Sequence, residues 1–357
     1  MSQAPTIGSR KADHIALCST DEVAFRAATT LFEQVRFVHD ALPDLDAAAI
    51  DTGVTVLGKR LRAPLLIAAM TGGTDEAARI NRALAKIAEA RGYGFGLGSQ
   101  RAMLKRKEAA ASYAVRDVAP STLLLGNIGI IQARDMATAE VAALAAEVGA
   151  DAMCVHLNPA MEIVQPEGDR DFRGGADTLA RLARELPVPV VAKETGCGLS
   201  ASVGARLVAA GVRHVDVSGA GGTSWVGVET KRAAAAGDDK GRALGEAFWD
   251  WGVPTAASVA MVAPLGLRTV IATGGVSSGI DVARAIALGA TAAGIARPVL
   301  QAFVRGGEAE ANAFLDGVEA ELRAVMLLTG SPDVAALQKA PRVLGSELRA
   351  WLDHARR

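Results

Sequence analysis

Late in a chain of 357 residues, one apolar run closes on two adjacent glycines, Ile271-Ala272-Thr273-Gly274-Gly275-Val276, and a second leads into Gly294-Ile295-Ala296-Arg297-Pro298. A phosphate oxygen approaches a backbone N–H closely only where no Cβ intervenes, and a helix starting just beyond aims further amides at the anion. The pair reads as a phosphate site or as a tight turn. Other residues able to do chemistry end other apolar runs. Lys193, after Val190-Val191-Ala192, would be a rim lysine paired with Glu162 or Glu194, or a cation stabilising negative charge near N1 of a reduced flavin. Asn127 would satisfy strand-end backbone groups or bond a ring carbonyl. His156 and Asn158 alternate along one run and so share a face, as a core pair or a binding pair. Glu162 would be an acid in a first helical turn, or a carboxylate that holds Mg²⁺ beside a diphosphate. Arg101 and the pair Arg10-Lys11 are solvated charges or a clamp on an anion.

These residues need a scaffold that brings strand ends together. Eight short apolar runs recur: Ala63 to Met70, Tyr93 to Ser99, Thr122 to Gly129, Ala152 to Asn158, Pro189 to Thr195, His214 to Gly219, Arg268 to Gly275 and Thr291 to Ile295. Alanine-rich stretches with helical spacing lie between them, as at Asp75 to Arg91, Thr138 to Val148, Asp177 to Leu186, Ser200 to Ala210 and Ser278 to Leu288. Apolar strands alternating with helices predict a parallel sheet covered on both faces, and eight such units fit an α/β fold of the (β/α)8 TIM-barrel kind. A doubly wound open sheet is the other architecture, but no Gly-x-Gly-x-x-Gly follows the first strand. Residues 1–62 form an N-terminal arm with a hairpin from Val54-Thr55-Val56-Leu57 to Arg60-Leu61-Arg62, and residues 63–357 form the barrel, within a single domain. The stretch Gly227 to Glu246 reads as an irregular loop and a candidate lid.

Bulk composition narrows the partners. Lys and Arg number 38 against 39 Asp and Glu, a formal charge of −1, so no global field recruits nucleic acid or an anionic membrane. No apolar run reaches the length of a membrane helix, and no signal segment opens the chain, which predicts a cytoplasmic protein. Cys18, Cys154 and Cys197 are odd in number and widely spaced, fitting neither a disulfide framework nor a zinc site.

A wider set of segments carries a family resemblance: Arg10-Lys11 with His14, Phe37-Val38-His39, Ala69-Met70-Thr71-Gly72-Gly73, Gly98-Ser99-Gln100-Arg101, Gln165-Pro166-Glu167-Gly168-Asp169-Arg170, Val191-Ala192-Lys193-Glu194, Asp216-Val217-Ser218-Gly219 with Gly221-Gly222-Thr223, and Trp251-Gly252 with Thr255-Ala256. Over nearly its whole length the chain resembles the type 2, flavin-dependent isopentenyl-diphosphate isomerases. The resemblance implies a barrel that binds FMN, needs Mg²⁺, and interconverts isopentenyl and dimethylallyl diphosphate. It implies FMN contacts at Ala69, Met70, Thr71, Ser99, Asn127, Lys193, Ser218, Thr223, Gly274, Gly275 and Ala296. The substrate diphosphate is expected to meet Arg10, Lys11, Ser99, Gln100 and Arg101, with His156 and Asn158 nearby and Glu162 on the metal. His156, Lys193 and Glu162 are the expected catalytic side chains, beside reduced flavin as acid and base.

The resemblance further implies NAD(P)H as the reductant that activates the flavin, and a homotetramer or homo-octamer. One position departs from the pattern. Where the family usually has Gln before the metal-binding Glu, this chain has Asn158-Pro159-Ala160-Met161-Glu162, and a thioether has no proton to give. Two other activities stay open at this point: an FMN-dependent 2-hydroxy-acid oxidase or dehydrogenase, and a catalytically altered prenyl-diphosphate-binding homologue.

Overall fold

A computed structural model describes the backbone of residues 7–355 and the side chains of residues 13–355. All eight predicted strands form, and they close into one barrel in sequential order. We label them β1 (Leu65–Ile67), β2 (Gly94–Gly96), β3 (Leu123–Gly129), β4 (Ala152–Leu157), β5 (Val190–Glu194), β6 (His214–Asp216), β7 (Thr269–Ala272) and β8 (Ala292–Ile295). Every neighbouring pair is parallel, and β8 closes on β1 with Gly294 opposite Leu66. The open doubly wound sheet is thereby excluded. Strands β3 and β5 are buried at every residue, the burial a two-faced parallel strand requires.

The side-chain period of two sorts the strands into layers. Leu66, Leu123, Leu125, Ala152, Cys154, Val191, Ile271 and Ala292 point into the barrel and pack as one cluster with Val56 and Leu61. Those last two belong to the predicted hairpin, Val54–Val56 paired with Lys59–Leu61, which therefore plugs the N-terminal floor. Lys59 fixes the plug by donating to Asp151 and to the carbonyls of Ser121 and Thr122, just ahead of β4 and β3. Each Val, Leu or Ile side chain buried there contributes about 1.5–3 kcal/mol. Among the described residues the floor is closed, and the C-terminal mouth is the open end of the barrel. A larger core fills the space between the outer barrel face and the surrounding helices.

Helix boundaries follow their caps. Asp75–Arg91 starts at Thr74, whose hydroxyl accepts from Ala77 N, and stops at Gly92 in the left-handed region at φ 66°. The stretch expected to be an irregular loop, Gly227 to Glu246, is instead a pair of helices, Trp225–Ala235 and Asp239–Ala247. Its glycine and aspartate sit where the chain turns: Gly237 has φ 72°, and Asp238 caps the second helix by accepting from Gly241 N. The alanines between them favour helix, so composition misread as loop was an N-cap and a turn. Upstream, the arm contributes a helix at Ile7–Cys18 and a strand, Val35–Phe37, antiparallel to Arg342–Leu344 near the C-terminus. Among the described residues no helix is long and apolar enough to cross a membrane.

Candidate active site

The C-terminal strand ends converge on one cavity of about 340 Å³. The alternation that put Leu125, Cys154, Val191, Ile271 and Ala292 into the floor cluster puts Asn127, His156, Lys193, Thr273 and Gly294 inward two residues later, and all five line the cavity. Ala69, Met70, Thr71, Ser99, Arg101, Asn158, Met161, Glu162, Ser218, Thr223, Gly274, Gly275 and Ala296 line it too. Fifteen of the residues expected at the site thus line one cavity, and Gln100, Arg10 and Lys11 are the exceptions. Gln100 is fully buried away from the cavity: its Nε2 donates to Leu144 O at 2.9 Å, and its Oε1 accepts from Asn127 N at 2.9 Å. Its amide holds β3 to the β2 turn and is not placed to meet a substrate. The side chains of Arg10 and Lys11 lie outside the described residues, although their helix brings His14, Ile15 and Cys18 to the cavity wall.

Lys193 pairs with neither carboxylate expected from sequence. Its Nζ donates to Asp216 Oδ2 at 2.7 Å and to Thr273 Oγ1 at 3.0 Å, while Thr273 Oγ1 donates to Asp216 Oδ1 at 2.5 Å. Asp216 was visible only as part of a matching segment, although it lies two residues before Ser218 on the inward face of β6. Its partners stand 23 and 57 positions away, so no local pattern announces them.

The neighbouring polar groups are also spoken for. Asn127 donates Nδ2 to Leu97 O at 3.1 Å, which leaves Oδ1 to accept from His156 Nδ1 at 2.7 Å. Asn127 therefore secures a strand end and also faces the cavity. A neutral His156 ring donating through Nδ1 carries its lone pair on Nε2. Glu162 accepts from Asn158 Nδ2 at 2.7 Å and from Asp169 N at 2.8 Å, and Arg170 clamps the loop between them by donating to the carbonyls of Glu162, Ile163 and Gln165. Glu194 lies off the cavity, its Oε2 accepting from the amides of Thr195, Gly196, Cys197 and Gly198. Burial pushes its pKa up to about 7 against those four amides.

One wall comes from the arm. His14 Nε2 meets Glu229 Oε1 at 2.9 Å, and its ring stands edge-on to Trp225 at 5.1 Å. Burial raises the Glu229 carboxyl, but His14 and Arg232 outweigh it and hold the group below its ordinary range. Glu229 has no signal in the sequence, because it is one polar residue on a helix and its partner is 215 positions away.

The backbone at Gly274 and Gly275, which borders the same cavity, is of the kind that takes a phosphate. Gly274 and Gly275 have φ 97° and 74°, and a Cβ would stand 2.2 Å from Gly219 O at the first and 2.4 Å from Thr30 Cγ2 at the second. Only glycine lets these loops pack so closely at positive φ while both residues border the cavity, and the helix that opens at Arg297 follows directly on β8. Thr71 Oγ1, also on the cavity, is buried with no hydrogen-bond partner among the described residues, a group that a bound ligand would satisfy. Ser218 holds φ 38°, a strained conformation for a non-glycine residue at a cavity wall.

Comparison with known proteins agrees with this geometry. The family model of FMN-dependent dehydrogenases matches residues 5–162 and 156–343. Isopentenyl-diphosphate delta-isomerase of Synechococcus sp. is 46% identical over 341 residues, covering 95% of this chain and 97% of its own. The enzymes of that name from Nostoc sp. and Thermococcus kodakarensis are each 44% identical, covering 92% and 96% of this chain and 94% and 93% of their own. Among solved structures, a mandelate oxidase variant superposes with TM-score 0.65 at 21% identity, covering 93% of this chain and 95% of its own, a likeness of fold. The chain belongs to the isopentenyl-diphosphate delta-isomerase family, the kind built on the barrel of FMN-dependent dehydrogenases.

Proposed function

We propose that this chain interconverts isopentenyl diphosphate and dimethylallyl diphosphate by a 1,3-proton shift, with FMN held in the cavity at the C-terminal mouth of the barrel. The observation that carries this reading is the convergence of glycine cradle, buried Lys193 and Glu162 on one cavity in a chain of this family. When bound and reduced, FMN supplies an electron-rich, proton-bearing ring that serves as acid and base without net redox change.

The chain's own residues bind, orient and exclude water. Gly274, Gly275 and Ala296 would take the FMN phosphate through backbone amides. Ala69, Met70, Thr71, Ser99, Asn127, Ser218 and Thr223 would border the ring system, with Lys193 on its electron-accepting side. Arg101, Ser99, His156, Asn158 and the helix bearing Arg10 and Lys11 would hold the diphosphate, so that binding energy far from the reacting carbons fixes the alkene in place. Glu162 suits Mg²⁺: among the described residues no group of three or more His, Cys, Asp or Glu gathers to cage a metal. A single carboxylate completed by diphosphate oxygens and water is the coordination Mg²⁺ prefers. Met161 has no proton to exchange, and none is routed through it. In this reading NAD(P)H reduces the flavin, the arm of residues 1–62 completes the substrate site on the FMN-binding barrel of residues 63–357, and the protein is a cytoplasmic homotetramer or homo-octamer.

The test is an anaerobic assay of the FMN-loaded protein with isopentenyl diphosphate, before and after reduction, with and without Mg²⁺. Turnover only after reduction and only with Mg²⁺ is expected. A protein that takes up no FMN contradicts the reading, and one that consumes a 2-hydroxy acid while its flavin is reduced is an oxidoreductase instead.

A further inference from the structure

Asp216 does not border the main cavity. It lies beneath, on a small void of about 10 Å³ shared with Leu66, Ala68, Cys154, Lys193 and Thr273. Lys193 and Thr273 line both spaces, so they stand between Asp216 and any ligand. The three side chains close a ring: Lys193 Nζ to Asp216 Oδ2 at 2.7 Å, Lys193 Nζ to Thr273 Oγ1 at 3.0 Å, and Thr273 Oγ1 to Asp216 Oδ1 at 2.5 Å. An ammonium has three donors, and this ring uses two. Because Thr273 spends its proton on Asp216, its lone pair is turned to the lysine. The third N–H of Lys193 is then the one available to the cavity, in a direction fixed by the other two.

Charge matters as much as direction. Lys193 is 8% exposed and Asp216 4%, so water screens neither strongly. A bare buried cation would stabilise negative charge on a ring above it, whereas an ion pair presents the weaker field of a dipole. We propose that Asp216 is a positioning residue that both aims Lys193 and compensates its charge, so that reduced flavin in this site keeps its N1 proton. The proposal rests on the FMN reading above. It also deepens it, because a reaction that moves a proton and no net electrons is served by a reduced ring that stays fully protonated, while a hydride acceptor is served by a bare cation.

The experiment is an anaerobic pH titration of the reduced holoenzyme, followed by the absorbance change between neutral and anionic reduced flavin. Asp216→Asn keeps the side chain's shape and one acceptor oxygen, places an amide NH2 where the second oxygen stood, and removes the charge. It is expected to lower the transition by about one pH unit or more, a tenfold shift in favour of the anion. Lys193→Met, which removes the cation and leaves a carboxyl free to protonate, is expected to move the transition by much less. An unchanged transition in Asp216→Asn overturns the proposal. So does a rise in Lys193→Met that exceeds the fall in Asp216→Asn, since the lysine then acts as a bare cation and Asp216 only packs. If Asp216→Asn fails to fold, the Lys193→Met titration decides alone: a rise of about one pH unit or more overturns the proposal. Wild-type protein that takes up no FMN overturns the functional reading itself, whereas wild type that binds FMN and isomerises while these titrations fail overturns only the role of Asp216.

Discussion

At the scale of single residues, the site is a set of side chains whose spare capacity is small and directed. Asn127 fixes His156 through Nδ1, Asn158 steadies Glu162, and Asp216 with Thr273 steadies Lys193. Met161 is the exception, a cavity residue with nothing to exchange, one position before Glu162. If proton transfer bypasses this position, restoring an amide there changes little: Met161→Gln is expected to keep kcat within about threefold of wild type, where a true acid or base is worth roughly 10²–10⁴-fold. A rise of a hundredfold in steady-state turnover would show instead that the site lacks a group it needs. Period-two alternation accounts for the inward strand-end residues Asn127, His156, Lys193 and Thr273, and most cavity-facing positions were expected from the family resemblance. What each residue is bonded to was not. The Lys193 partner came from the next strand and not from the nearby glutamates, and Gln100 was spent on Leu144, 44 positions on.

At the scale of elements, the loops after the strands hold the geometry. The loop after β5 is wrapped around its own carboxylate, with Glu194 Oε2 taking four successive amides from Thr195 to Gly198 and so setting Thr195 and Gly196 at the cavity wall. Burial lifts this carboxyl from 4.5 to about 7. An acid whose pKa is raised on folding stabilises the native state below its unfolded pKa, and that contribution is lost as pH rises through the folded value. Wild-type unfolding free energy should therefore fall between about pH 4.5 and 7 by on the order of 3 kcal/mol from this group. Glu194→Gln has no proton to lose, so urea unfolding at several pH values should show its stability gaining on wild type across that window. Parallel profiles would mean the carboxyl titrates normally. Strand identity was readable from apolar runs alone, whereas the helix pair at Trp225–Ala247 was not, because its caps and turn share the composition of a loop.

At the scale of the whole molecule, one asymmetry directs everything. A hairpin of the arm closes the barrel floor, and the arm's first helix stands at the mouth, joined through His14 to Glu229. The barrel was countable from sequence. The plugging of one end by the hairpin was not, since it depends on contacts between Val56, Leu61 and six strands. The account's central claim is that this mouth moves a proton on a prenyl diphosphate. It is tested most directly by running the reduced, Mg²⁺-supplied holoenzyme with isopentenyl diphosphate in heavy water and reading the product by NMR. The account predicts dimethylallyl diphosphate with deuterium in its methyl group, formed only after reduction. Product without deuterium, or no product from a fully flavin-loaded and reduced protein, would contradict it.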